Sequence, residues 1–212
     1  VVDRAGKIAY IHGPLFLEFA LLNILAGEDA KAVGDEIGKV DADYKALCAP
    51  FNRDQKAFLE SDPKQFCRAL DEFETKYPPL ADCLPATCVI KLMLLLKQKD
   101  STEAKAYAGR LLKKAIDQRI MFNLEVLNVL LIEKKDNKEL LALGARAAEA
   151  MVQIEGGKNP FNLIRLAQSY HINGEDAKAK ETARRAIDAA AGESEADKKE
   201  IEKESQKLGL KN

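Results

Sequence analysis

The stretch NLIRLAQSYHINGEDAKAKETARRAI, residues 162–187, decides how the rest of this chain is read. Leu163, Leu166, Ala167 and Tyr170 recur at helical spacing and line one face of a first helix. Asn173-Gly174 breaks it, and Ala179, Ala183, Ala186 and Ile187 line one face of a second. The small residues on that second face let two helix axes come close. Equivalent turns fall at Ser61, Lys99, Lys135 and Gly174, separated by 38, 36 and 39 residues. Spacing of that order is the mark of a repeat built from helix pairs. A single pair cannot hide its own apolar face from water, so successive pairs are expected to stack into an α-solenoid. Its concave side is then a ready surface for a protein or peptide partner, and the fold class is mainly α.

Helices are expected at 89–98, 102–117, 122–134 and 138–154. The apolar stretch MFNLEVLNVLLI, residues 121–132, is broken by Asn123, Glu125 and Asn128. It falls short of the roughly 18–20 apolar residues a bilayer span needs and is expected to be buried between neighbouring helices. The first pair is less regular. Pro50 interrupts a helical pattern over 41–59, removing a backbone donor, so it either kinks that helix or starts a new one. Asp62 can cap the following helix, with Pro63 at its first position and Phe66, Cys67, Leu70 and Phe73 on one face until Tyr77-Pro78-Pro79 ends it. The last segment, 193–208, is mostly charged with a thin apolar line at Ala196, Ile201 and Leu208. It reads as a capping helix.

These hairpins resemble tetratricopeptide repeats, best at Leu163, Ala167, Tyr170, Gly174, Ala179, Ala183 and Ala186. Leu163 stands where that family carries a bulky aromatic and Ala191 where it carries a closing proline. What the resemblance implies is a protein-interaction scaffold.

The other end of the chain reads differently. VVDRAGKIAYI, residues 1–11, has the pattern of two short strands around a turn, with Gly6 free to take a positive φ. Gly13-Pro14 ends the second strand and LFLEFALLNILA, 15–26, reads as a helix. The segment VVDRAGKIAYIHGPLF resembles the last β-hairpin of a thioredoxin-like domain of the TlpA/redoxin type. His12-Gly13-Pro14 departs from the Gly-His-Pro of that pattern. The resemblance implies a parent thiol-disulfide oxidoreductase, with its Cys-x-x-Cys pair and cis-proline upstream of Val1, working outside the cytoplasm. It also implies that the natural protein begins before Val1. Between these parts the glycine-rich, weakly apolar segment 28–40 is expected to be a linker. The organisation expected is a thioredoxin-like remnant at 1–27, a linker at 28–40 and a helical-repeat domain at 41–212.

Composition narrows the chemistry. The 212 residues carry 33 basic and 34 acidic side chains for a net charge of −1, so no overall field draws nucleic acid or an anionic membrane. Basic residues cluster at Arg110, Lys113, Lys114 and Arg119, and at Lys178, Lys180, Arg184 and Arg185. Without interleaved aromatic rings these read as solvated faces. No nucleotide-binding glycine loop and no nucleophile elbow is present, so no cofactor and no catalytic residue is assigned. His12 and His171 are far apart in sequence, and no metal-ligand spacing is present. His171 is expected to pack partly buried, His12 to be exposed.

None of the four cysteines forms a Cys-x-x-Cys pair. Cys83 and Cys88 bracket LPAT near a helix start, readable as a disulfide, as a thiol pair or as two small core side chains. Cys67 reads as core. Two functions follow: a protein-interaction scaffold in the service of a redoxin-type parent, or the rear portion of a thiol-disulfide oxidoreductase whose active site lies upstream.

Overall fold

A computed structural model describes residues 27–60, 63–77 and 85–209. The described residues form ten α-helices and no strand, and the chain divides into two compact units, Val1–Lys97 and Gln98–Asn212. The ribbon expected at 1–11, the helix at 15–26 and the turn at Ser61 lie outside the described residues.

In the first unit, helix α1 spans Ala30–Arg53, and its cap Asp29 accepts from the Lys31 N–H at 3.4 Å. Most of segment 28–40, read above as a linker, is therefore helical instead. The reason is a stripe that its glycines obscured: Val33, Ile37 and Val40 recur at helical spacing and are all buried. Gly34 and Gly38 cost about 1 kcal/mol each relative to alanine. Burying three aliphatic side chains contributes about 1.5–3 kcal/mol apiece, so the stripe wins. Pro50 lies inside α1, which ends three residues later at Arg53 with Asp54 as its C-terminal cap. The Asp54 carboxylate accepts from the Ala57 N–H at 3.0 Å and opens the short helix α2, Gln55–Glu60. Proline thus permits one more turn, and the chain then restarts.

Helix α3, Pro63–Lys76, begins on its proline as expected, and α4 covers Pro85–Leu95. Cys48, Phe58, Phe66, Leu70, Ile90 and Leu94 form one core cluster, with Tyr44, Leu47, Phe51 and Cys67 packed against it. Within it the Phe58 ring meets Phe51 edge-on at 5.6 Å and Phe66 edge-on at 4.9 Å. Such pairs contribute about 0.5–1.5 kcal/mol beyond the area they bury. Polar ties join α3 to its neighbours. Asp43 on α1 accepts from Lys76 at 2.8 Å and from the Tyr77 hydroxyl at 2.7 Å. Lys91 on α4, only 5% exposed, pairs with Asp71 and lies 3.7 Å from Glu74.

The second unit runs α5 (Thr102–Asp117), α6 (Met121–Ile132), α7 (Lys138–Ile154), α8 (Pro160–Ile172), α9 (Asp176–Ala189), a 3-10 turn at Ala190–Gly192 and α10 (Glu195–Lys207). The most extensive packing joins α6 to α7 and α8 to α9, two hairpins with short turns. Further packing joins helices one or two places apart in the chain. Asparagine starts two of these helices. Asn137 accepts from Leu140 N–H at 3.2 Å, and Asn159 accepts from Phe161 N–H at 3.0 Å, ahead of Pro160 at the first helical position. Ser194 caps α10 by accepting from Asp197 N–H at 3.2 Å. Of the apolar line expected on α10, Ile201 and Leu208 are buried, whereas Ala196 is exposed and Ser205 is buried instead.

The faces read from 162–187 are the packed ones. Leu163, Leu166, Ala167, Ala179, Ala183 and Ala186 are all buried, Tyr170 and Ile187 half-buried. Thirty-nine residues before Ala183 stands Gly144, and there the two helices of the first hairpin approach closely: a β-carbon on Gly144 would sit 3.2 Å from Leu131 Cβ and 3.3 Å from Ile132 Cγ2. Beside it the buried Asn128 amide donates to the Gly144 carbonyl at 3.0 Å and to Ser169 Oγ at 2.7 Å. Ser169 in turn donates to the Arg165 carbonyl at 2.9 Å, so one side chain ties α6, α7 and α8 together.

The turn glycine at 174 has φ 79°, and nothing lies within 4 Å of the point a β-carbon would occupy, so an alanine there is opposed by backbone conformation alone. Gly174→Ala is expected to destabilise the chain by about 1 kcal/mol in chemical denaturation. Gly109→Ala, in the interior of α5 with open space around it, is expected to change stability by a similar amount in the opposite direction. Asn128→Ala should cost about 2 kcal/mol, because it strips a buried hydroxyl of its donor and opens a cavity. A loss under about 0.5 kcal/mol would show that the three-helix tie contributes nothing.

Candidate functional site

Helix α6 is less enclosed than its sequence implies. Leu124, Leu127 and Leu131 are fully buried, yet Phe122 is 50% exposed and Val129 43% exposed. The expectation of a helix hidden between neighbours therefore needs correcting. Its composition is apolar on nearly every side, so periodicity could not separate the buried face from one that meets solvent. Phe122, Glu125 and Val129 follow at intervals of three and four and share a face. Glu125 reaches across to Arg165 on α8 at 2.5 Å, and both side chains remain partly exposed. On α8 the face carrying Arg165 also carries Phe161 and Gln168, by the same spacing. Gln168 then donates to Glu204 on α10 at 3.0 Å. A strip of surface accordingly crosses three helices, α6, α8 and α10, with partly exposed apolar groups beside cross-helix polar pairs.

A signal in the chain marks this strip. Phe-Asn-Leu occurs at 122–124 and again at 161–163, 39 residues apart, the same interval as the turns at Lys135 and Gly174. In each copy the asparagine is buried, Asn123 at 3% and Asn162 at 8% exposure, and the leucine is in the core. Asn162 donates to Glu155 at 2.6 Å, whereas Asn123 Oδ1 has no hydrogen-bond partner among the described residues. The phenylalanines precede them on the outer side. Turn spacing alone does not reveal this triplet.

Other residues singled out in the sequence are dispersed. Tyr170 donates its hydroxyl to Glu149 at 2.7 Å, and burial together with that carboxylate holds the phenol above its usual range. His171 is exposed rather than partly buried, its Nδ1 2.8 Å from Asp176, because it falls on the outer side of the last turn of α8. His12 and Cys83 lie outside the described residues. Cys88 is half-buried near the start of α4. Arg110, Lys113, Arg119, Lys178, Lys180, Arg184 and Arg185 are exposed and Lys114 half-exposed. Among the described residues no group of three or more His, Cys, Asp or Glu could hold a metal ion. No helix among them is long and apolar enough to cross a membrane.

Cys48 is buried in the first unit's core beside Tyr44, and burial pushes its thiol up, opposed only in part by a hydrogen bond with that phenol. Burial, then Cys48, push Tyr44 up to about 12, with Cys88 adding to the effect. A thiol held protonated is a poor nucleophile, so Cys48 is placed for packing. The pH dependence follows in sign. Both groups bind their protons more tightly folded than unfolded, so their stabilising contribution is intact below the ordinary thiol value of 9.0 and is lost as pH rises through the folded values. The chain is expected to lose stability between about pH 9 and pH 12. Tyr44→Phe and Cys48→Ala should each flatten that loss in thermal melts taken across the range, and an unchanged alkaline slope in both variants would contradict this origin.

No known protein family matches this chain, and neither does any curated protein or solved structure.

Proposed function

We propose that the chain is a protein-interaction module of stacked, tetratricopeptide-like helical hairpins, an α-solenoid whose concave side is lined by α6, α8 and α10. One observation carries this reading. Two large apolar side chains, Phe122 and Val129, stay in solvent on a helix that fully buries Leu124, Leu127 and Leu131, and they flank the Glu125–Arg165 pair that leads to the next hairpin. Exposed apolar groups rimmed by polar ones are the usual composition of a protein-binding face. A protein or peptide segment laid across the strip would cover Phe122 and Val129 and meet Arg165 and Gln168. The 39-residue recurrence of Phe-Asn-Leu supports a surface that repeats from hairpin to hairpin.

The redoxin half of the reading rests on residues 1–26 alone. On that resemblance the module serves a thioredoxin-like parent protein and positions its redox domain or a partner of it. The alternative, that the chain belongs to a thiol-disulfide oxidoreductase with its Cys-x-x-Cys upstream, rests on the same residues.

Capture experiments test the interaction face. The immobilised chain is compared with a Phe122→Asp, Val129→Ser double variant in extract of the source organism, with bound proteins quantified by mass spectrometry. Asp at the second position of α6 suits the positive end of the helix dipole, so the variant should melt within a few degrees of the parent. The expected result is at least one protein retained by the parent chain and depleted about tenfold by the variant, matching about 1.4 kcal/mol of lost contact. Equal retention by both would place binding elsewhere. In a separate assay the purified 212-residue chain is expected not to reduce a disulfide substrate with a thiol donor. Turnover comparable to a thioredoxin control would place a reactive thiol within the chain and contradict both readings, since each puts the redox pair upstream of Val1 or leaves the chain without one.

A further inference from the structure

We draw no further inference here: the strongest candidate, the apolar groove between α1 and α3 that Leu47 and Ala69 line from Pro50 and Phe66 at one end to Phe73 at the other, carries nothing because nothing in the structure shows what covers it.

Discussion

Close approach of helix backbones, made possible by small side chains, is the constraint on which the second unit depends. At Gly144 the α7 backbone lies so near α6 that even a methyl group would press on Leu131 and Ile132. In the following hairpin Ala183 holds the equivalent place, with Ala179 and Ala186 one turn to either side, all fully buried. Axes brought this near leave room for dispersion contacts along their whole length. Large leucines complete the packing around these close approaches, with Leu124, Leu127, Leu131 and Leu163 all at or near zero exposure. A face such as that of α8 is buried because small residues on α9 let it be covered.

Polar groups set which arrangement of those seams is adopted. Apolar surfaces are tolerant of sliding, whereas a buried amide is not, since a missed partner costs about 1–3 kcal/mol. Asn128 meets the Gly144 carbonyl and Ser169 in one geometry, and Arg165 reaches Glu125 from the exposed side of the same junction. The first unit uses aromatic rings for the same purpose. Phe58 is held edge-on between Phe51 and Phe66, and Tyr77 and Lys76 both meet Asp43 on α1.

Much of the helical organisation is legible in the residues, and its failures have identifiable physical causes. The α5 and α7 spans agree with expectation because a clear amphipathic stripe runs through each, and in α7 a cap coincides with it, Asn137 opening the helix and Leu140, Ala147 and Met151 following on one side. The segment 28–40 resembles a linker because Gly34 and Gly38 mask the stripe of Val33, Ile37 and Val40 that makes it a helix. His171 departs from expectation because neighbouring positions on a helix face different surroundings, and only Tyr170 of the two turns inward. The candidate surface is the least legible part. An apolar residue facing solvent looks in sequence like one facing the core, and Phe122 is separated from the buried Leu124 by only two positions.

Asn128 also bears on how interchangeable the hairpins are. Helical repeats are often treated as units that can be added, removed or shuffled, since each touches only its neighbours. Here the position 39 residues on from Asn128 is Ala167, and the serine that Asn128 meets has Leu130 as its own counterpart. The junction between these two hairpins is therefore written in residues that neither hairpin carries twice. Duplicating the first hairpin would set the Asn128 amide against the Leu130 of its copy, and duplicating the second would set the Ala167 methyl against a Ser169 hydroxyl, so the order of these two hairpins is fixed by that junction.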